Sequence, residues 1–314
     1  MRGPRFDPSV MAAIDHYFRT VRVMPRTLTL VRHGESESNA AKRSAEKGKV
    51  HPREAELMMV HTSQRRLTPR GVKQARRAGA WLRAYFEEVA AIEGMKPFGN
   101  VRGYITPYAR GMETGGHTGL PIVWLPDARL SERNWGELDQ LPFEQRVMKY
   151  GEAMKFREKH GMFWPAANGE TLQALSTRIW QHFYKLRNEH SDHHVVEVSH
   201  GETILTQRFM LERWLPEDVV HMMLATDTKL SKKVLGVECD WQNKLINCRI
   251  VQYTRQREDG TWASSYQRVR LIAPSALGDS KMNLDWHPIV RRKFTSEELC
   301  SYVEQFPHFL DDVA

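Results

Sequence analysis

The sequence predicts an α/β fold, a three-layer α/β/α sandwich with a mostly parallel central sheet. Segments typical of strands and of helices alternate along the chain, which favours strands joined by helices. Apolar residues make up 41% of the 314 residues and charged residues 27%, enough for one sizeable core. We expect one main domain over residues 26–273, an N-terminal extension over 1–25 and a C-terminal extension over 274–314.

The elements follow in order from local signals. Short apolar runs predict strands over 27–31, 101–105, 121–125 and 194–199, and a turn at 258–260 joins two further strands, 248–254 and 266–272. Thr68 followed by Pro69 is a typical helix start, and apolar spacing carries that helix towards Phe86. Amphipathic spacing predicts a helix over 170–188, and other helices are expected from Glu202 and over 296–306.

Composition and charge narrow the classes of function. A formal net charge of +8 suits anionic partners, although solvated surface charge explains it equally well. The basic residues are spread along the chain, so a dedicated nucleic-acid surface is disfavoured. Three cysteines form neither a disulfide framework nor a metal-binding pair. No apolar run of membrane-spanning length and no signal-peptide core occur, so we expect a cytoplasmic protein without a membrane partner.

Two strands each end in a histidine followed by glycine. Arg32-His33-Gly34 follows the first strand, and Ser199-His200-Gly201 follows the strand over 194–199. The strand over 101–105 leads to Arg110 about one helical turn later. Because sites in open α/β sheets gather at the carboxyl ends of strands, these side chains are expected to meet at one edge.

This set of residue types suits phosphoryl transfer. Arginine offers a fixed fork of donors for phosphate oxygens, and histidine can attack phosphorus as a nucleophile. Nearby positive charge disfavours imidazolium and therefore keeps such a histidine nucleophilic. Glu132 can supply the proton that the leaving oxygen needs, with Glu137 and Asp139 as competing carboxyl groups.

In this order, the motifs resemble the histidine phosphatase superfamily, also called the phosphoglycerate mutase-like family. The resemblance covers roughly residues 26–255 and rests on Arg-His-Gly-Glu-Ser-x-x-Asn at 32–39, Leu-Thr-x-x-Gly-x-x-Gln-Ala at 67–75, Thr-Pro-x-x-Arg at 106–110, Leu-x-Glu-x-x-x-Gly at 130–136, Gly-Glu-Thr at 169–171 and Ser-His-Gly at 199–201. It implies the phosphoglycerate mutase-like fold, with residues 26–273 as the catalytic domain.

The resemblance also implies roles for individual residues. His33 would become phosphohistidine, Glu132 would be the proton donor, and His200 would be the second catalytic histidine. Phosphate binding would fall to Arg32, Arg110, Asn39, Ser36 and Gly201. Neither a metal nor another cofactor is implied. The expected activity is hydrolysis of a phosphomonoester, with a small phosphorylated metabolite as the substrate.

Two other functions stay open. A phosphoglycerate mutase would return the phosphoryl group to a second hydroxyl, and a non-catalytic member would use the fold as a binding scaffold. No Gly-x-x-x-x-Gly-Lys-Ser/Thr loop occurs, so an attached kinase is not expected. The segments 40–66 and 130–168 are expected to cover the site, with Trp135 packed beside it and Arg65 and Arg66 solvated. The oligomeric state is open, a homodimer included.

Overall fold

The computed structural model describes residues 22–227, 232, 236–240, 242–274 and 284–306. Within them a seven-stranded sheet has the order β3-β2-β4-β1-β5-β6-β7. The strands are β1 (Thr27–Arg32), β2 (Val101–Ile105), β3 (Trp124–Pro126), β4 (His194–Ser199), β5 (Ile250–Thr254), β6 (Arg268–Ile272) and β7 (His287–Pro288). The first four run parallel, whereas β5, β6 and β7 join by antiparallel pairing. The sheet is therefore mixed, with its parallel half holding the motif-bearing strands.

Helices flank both faces of this sheet. They are α1 (Glu37–Glu46), α2 (Glu54–Met59), α3 (Pro69–Glu93), α4 (Ala109–Thr118), α5 (Phe143–His160), α6 (Leu172–Glu189), α7 (Gly201–Glu212), α8 (Pro216–Ala225) and α9 (Ser296–Val303). Successive residues of a strand point to opposite faces, and β1 divides its side chains accordingly. Leu28 and Leu30 join the apolar cluster of α6 and α7, whereas Val31 joins the cluster of α3. The predicted three-layer sandwich is confirmed.

Helix α3 shows how local sequence specifies an element. The Thr68 hydroxyl accepts a hydrogen bond from the Gly71 N–H at 3.1 Å, and Pro69 occupies the first helical position. The helix continues beyond the predicted Phe86 to Glu93 and is capped by Gly94, whose φ of 65° lies in the left-handed region that glycine tolerates. Its buried face consists of Gly71, Ala75, Ala78, Gly79, Leu82, Phe86 and Ala90.

The observed strand boundaries match the predicted ones where the apolar run is short and well defined. β2 and β4 have the predicted bounds. β5 begins at Ile250, because Cys248 has a φ of 56°, which is incompatible with an extended strand. β3 begins at Trp124, three residues later than predicted; Pro121 has no backbone N–H to pair with β2.

The predicted C-terminal extension contributes to the sheet. β7 pairs with β6 through Val269 opposite His287, and α9 follows with the Thr295 hydroxyl capping its first turn. The domain boundaries stay a prediction, and residues 1–21 lie outside the described part of the chain. None of the described helices is long and apolar enough to cross a membrane.

Strand register brings the histidine motifs together. In the parallel pair β1–β4, Arg32 lies opposite Ser199, so His33 and His200 leave the sheet at the same edge. β2 pairs with the other side of β4, with Ile105 opposite Val198. Helix α4 begins four residues after β2 and carries Arg110 in its first turn.

Candidate active site

The imidazole of His33 is buried and neutral, and one of its ring nitrogens has an available lone pair. Its side chain is 2% exposed, and its Nδ1 lies 2.7 Å from the Gly34 carbonyl oxygen. Since a carbonyl only accepts, Nδ1 carries the proton, and Nε2 accepts from Arg110 Nε at 3.2 Å. Burial, followed by the charges of Arg110 and Arg32, holds the pKa of His33 well below its usual value. The imidazole is therefore unprotonated at Nε2.

His200 lies edge-on to His33, with ring centroids 5.1 Å apart and an interplanar angle of 61°. Its Nε2 is 2.9 Å from the Thr106 hydroxyl, and its Nδ1 is 3.7 Å from a carboxyl oxygen of Glu132. Burial and the nearby charge of Arg110 also lower the pKa of His200 well below its usual value. The Tyr108 ring packs against the same imidazole at 4.9 Å.

Two arginines place positive charge beside this pair. Arg32 donates through one terminal nitrogen to the Leu245 carbonyl, while its buried Nε has no hydrogen-bond partner among the described residues. Arg110 is 5% exposed and donates to the Thr62 carbonyl at 2.6 Å. Buried charge is costly unless it is paired. The pair of guanidinium groups therefore favours an anion at this site.

Thr114 secures the loop that precedes α1 to the helix that bears Arg110. Its hydroxyl donates to the Arg110 carbonyl at 2.6 Å and accepts from the Gly34 N–H at 3.0 Å. Gly34 itself packs on the Gly71 backbone so closely that a Cβ would lie 2.6 Å from the Gly71 oxygen. A side chain at position 34 would therefore displace the loop that carries His33.

Glu132 is the carboxyl group that accompanies the two histidines. Its oxygen and one ring nitrogen from each of His33 and His200 lie within 4.8 Å of one another. Burial raises the pKa of Glu132 to about 7, with Arg110 opposing the shift and Glu202 adding to it. Near neutral pH, both the protonated and the ionised form of such a carboxyl group are populated.

The two competing carboxyl groups do not belong to this cluster. Glu137 accepts from Lys149 at 2.9 Å and from the Tyr150 hydroxyl. Asp139 lines the same cleft as Glu132, but the charges that act on it most strongly belong to Arg146 and Arg65. Glu132 is thus the carboxyl group positioned to exchange a proton beside the histidines.

The same three groups form the one cluster of metal-ligand type found in the described residues. Two neutral imidazoles and a carboxylate could each offer one ligand atom. However, the guanidinium groups of Arg32 and Arg110 lie against the cluster and oppose a cation. The charge distribution favours an anionic ligand over a metal ion.

Ser36 and Asn39 line the cleft and also cap α1. The Ser36 hydroxyl accepts from the Asn39 N–H at 3.3 Å, and the Asn39 side chain accepts from the Ser36 N–H at 3.2 Å. Asn247 donates both to Asn39 and to the His33 carbonyl, at 3.0 and 3.1 Å. These contacts hold the His33 loop, and phosphate contacts of Ser36 and Asn39 stay a prediction.

Gly201 begins α7 next to Arg32. A Cβ at position 201 would lie 3.5 Å from Arg32 Nε, an ordinary contact distance. As the first residue of a 12-residue helix, Gly201 has a backbone N–H that is free of intrahelical bonding and suited to an anion.

The site opens into a cleft of about 1130 Å³. The predicted covering segments both line it, with residues such as Lys42, Met58, Thr62, Trp135, Leu138 and Arg157. Trp135 packs beside the site as predicted, between the guanidinium groups of Arg133 and Arg157 at 4.8 and 4.9 Å.

The expectation that Arg65 is solvated is wrong. Arg65 is 3% exposed and lines the cleft, because its guanidinium bonds to backbone and hydroxyl acceptors of three segments. Arg66 is exposed, as expected, and pairs with Glu113. The two adjacent arginines therefore lie in opposite environments. Because they are the same residue type, the sequence did not indicate which of them is buried.

Sequence reasoning did not single out several other residues that line the cleft. They are Arg146 and Arg157 of α5, Glu202 of α7, Met222, Met223, Thr226 and Asp227 near the end of α8, and Asn243, Lys244, Leu245, Ile246 and Asn247 before β5. Of these, Glu202 follows the Ser-His-Gly motif directly, so its position in the sequence was a usable signal.

Comparisons with known proteins show which family this chain resembles. A model of the histidine phosphatase superfamily (branch 1) matches residues 28–247. A 2,3-bisphosphoglycerate-dependent phosphoglycerate mutase from Cytophaga hutchinsonii is 27% identical over 201 residues, covering 63% of this chain and 83% of that protein. One from Azorhizobium caulinodans is 29% identical over 215 residues, covering 65% and 89%.

Solved structures support the fold alone, since their sequences differ widely. Mycobacterial hydrolase 1 has a TM-score of 0.52 at 16% identity and covers 78% of this chain and 95% of its own. A mycobacterial glucosyl-3-phosphoglycerate phosphatase in complex with VO3 has a TM-score of 0.51 at 17% identity, covering 73% and 92%. On the matched family model, the chain belongs to the histidine phosphatase superfamily (branch 1).

Proposed function

We propose that this protein hydrolyses a phosphomonoester of a small metabolite through a covalent phosphohistidine at His33. The observation that carries the proposal is the state of that imidazole. Its Nδ1 proton is bonded to the Gly34 carbonyl, and Nε2 is left as a lone pair beside two guanidinium groups. A nucleophile of this kind suits phosphorus when positive groups hold the phosphate oxygens.

In the first step, the Nε2 lone pair forms a bond to phosphorus while the bond from phosphorus to the ester oxygen breaks. Arg32, Arg110 and His200 hold the phosphoryl oxygens, and the Arg110 N–H now bonded to Nε2 turns to the phosphate. Glu132, in its protonated form, donates a proton to the leaving oxygen. The alcohol departs with the electron pair of the broken bond.

In the second step, water attacks phosphorus, and the Glu132 carboxylate accepts its proton. The bond between Nε2 and phosphorus breaks and returns the lone pair to His33. A pKa of about 7 suits a group that must donate in one step and accept in the next. The cleft of about 1130 Å³ has room for water beside the substrate.

A mutase is the second candidate, because the curated relatives named above are phosphoglycerate mutases. The two reactions share the phosphohistidine and differ in its acceptor. In hydrolysis, water takes the phosphoryl group and phosphate is released. In a mutase, a second hydroxyl of the substrate takes it and no phosphate accumulates.

The test measures phosphate release from a panel of phosphorylated metabolites without added metal, using wild type beside His33→Ala. Release by wild type alone supports hydrolysis. If wild type releases none but isomerises phosphoglycerate when primed with 2,3-bisphosphoglycerate, the protein is a mutase. If neither reaction occurs and no phosphohistidine forms, the catalytic proposal fails and a scaffold role takes its place.

A further inference from the structure

Arg65 carries a buried charge, and all of its hydrogen-bond partners are neutral groups. Its three hydrogen bonds go to the Val60 carbonyl at 3.1 Å, the Ser38 hydroxyl at 3.2 Å and the Asp139 backbone carbonyl at 3.0 Å. These use three of the five N–H donors of a guanidinium. Burying a charge without an opposite charge is costly, so such an arrangement suits a site that an anion completes.

Arg146 of α5 lines the cleft near Arg65. Its Nε donates to the Leu141 carbonyl at 2.8 Å, and its terminal nitrogens have no hydrogen-bond partner in the described part of the chain. Burial lowers the pKa of both Arg146 and Arg110, and the charge of Arg65 adds to each shift. Three guanidinium groups therefore line the cleft, with Arg65 close enough to act on the other two.

Carboxyl groups act on the two arginines from a distance, but none pairs with either directly. Asp139 acts electrostatically on both Arg65 and Arg146, Glu37 acts on Arg65, and Glu54 acts on Arg146. Among residues with described side chains, no ion pair within 4 Å joins a carboxylate to either arginine. Asp139 is itself buried enough that its pKa is raised, despite the opposing charges of Arg146, Arg65 and Arg110.

Several other cations that line the cleft have acidic partners within the protein. Arg157 pairs with Glu202 at 2.9 Å, and Lys42 lies 4.0 Å from Glu46. Arg65 and Arg146 differ from these cations, because neither has such a direct acidic partner among the residues with described side chains.

We propose that Arg65 and Arg146 form a second anion subsite, so that the substrate carries a second phosphate or carboxylate group beside the phosphate that reacts. This inference rests on the proposed reaction at His33 and names its substrate class. Arg65, rigidly held, presents a fixed donor geometry, while Arg146 contributes a partly exposed guanidinium from α5. Both would bind the non-reacting end of the substrate.

The experiment compares kcat/KM for phosphate release from three probes. Glycerol 3-phosphate has one anionic group, 3-phosphoglycerate adds a carboxylate, and propane-1,3-diol bisphosphate adds a phosphate. Wild type is expected to prefer one or both bis-anionic probes by about 10- to 100-fold, the range for hydrogen bonds to charged groups. The preferred probe tells which anion the subsite takes.

Arg146→Gln tests the subsite with little risk to folding, and Arg66→Gln is the matched control on the exposed neighbour. We expect Arg146→Gln to reduce the preference for the bis-anionic probe about tenfold, whereas Arg66→Gln retains it. Arg65→Lys keeps the charge but loses the planar fork of guanidinium donors, so it should reduce the preference for the bis-anionic probe as well. Equal kcat/KM for all probes in wild type, or an unchanged preference in Arg146→Gln, would overturn the inference.

Failure of the proposed reaction gives a different result. If wild type releases phosphate from no probe, the hydrolysis proposal fails, and calorimetric binding of the same three probes decides the subsite separately. Tighter binding of a bis-anionic probe than of glycerol 3-phosphate, weakened in Arg146→Gln, supports the subsite. Equal affinities for all three probes contradict it.

Discussion

Three histidines of this protein are buried, but the pKa is lowered in two of them and raised in the third. His33 and His200 lie beside Arg32 and Arg110, and their pKa values are well below the usual range. His182 of α6 lies between two carboxylates, with its Nδ1 3.0 Å from Asp127 and its Nε2 2.8 Å from Glu197.

Burial alone would lower the pKa of His182, but the charges and hydrogen bonds of Glu197 and Asp127 outweigh it and raise the pKa to about 9. Since all three rings are inaccessible to solvent, burial does not explain the difference. The sign of the neighbouring charge decides whether a buried histidine is neutral or protonated near neutral pH.

The largest expected effect is on turnover in His33→Ala. Because it removes the only group proposed to bond to phosphorus, we expect kcat to fall by about 10⁴-fold or more. Brief reaction with ³²P-labelled substrate should leave acid-labile, alkali-stable label on wild type and none on the variant. His160→Ala, at the exposed end of α5, is the matched histidine control. Label that persists in His33→Ala would assign the nucleophile to another residue.

A second prediction concerns Glu132→Gln. Loss of the proton donor should reduce the rate of enzyme phosphorylation by about 10²- to 10⁴-fold for an alkyl phosphate, and much less for 4-nitrophenyl phosphate, whose leaving group departs as an anion. In wild type, single-turnover phosphorylation should decline as pH rises through about 7, where Glu132 loses its proton.

In Glu132→Gln that decline should be absent. An unchanged pH profile, or equal losses for the two substrates, would remove Glu132 from proton transfer and direct attention to Asp139, which lines the same cleft.

Arg110→Gln tests whether neighbouring positive charge lowers the pKa values of His33 and His200. Removing the guanidinium should raise the pKa of His33 and of His200 and reduce kcat/KM by about 10²- to 10³-fold, since phosphate donors are also lost. NMR titration of the ring nitrogens would follow the pKa values. Arg110→Lys should keep them low while restoring little activity, because an ammonium lacks the fork. Unchanged pKa values in Arg110→Gln would mean that the charge of Arg110 does not contribute to the low pKa values of the two histidines.

The smallest effect on activity is expected in His182→Gln, which should affect stability instead. The pKa of His182 is raised above the unfolded value of about 6.5, so the stabilisation is fully present below that pH and is lost as pH rises through about 9. We expect wild type to exceed the variant by about 3 kcal/mol in the free energy of unfolding at pH 6.

That difference should shrink towards pH 9.5, as measured by urea denaturation at each pH. His160→Gln serves as the surface control. A difference that grows with pH would show that His182 is neutral in the folded protein, and the contrast between the two histidine environments would disappear.

Local signals were sufficient for much of the fold. The compact apolar runs of β2 and β4 have their predicted bounds, and the Thr68-Pro69 start of α3 is confirmed. Cys248 could not be excluded from a strand by its residue type, because its positive φ results from the turn that joins the preceding loop to β5. The antiparallel half of the sheet depends on contacts between distant segments, which periodicity does not report.

The sequence by itself determined which side chains meet at one edge of the sheet: Arg-His-Gly, Ser-His-Gly, Arg110 and Glu132 stand at the ends of predicted elements, and parallel strands deliver their ends to one edge. Only the tertiary structure decided the electrostatics around those residues. It placed Arg65 in the cleft and Arg66 in solvent, and it enclosed His182 between carboxylates. The physical reason is that burial and Coulomb interactions depend on neighbours in space, most of which are remote along the chain.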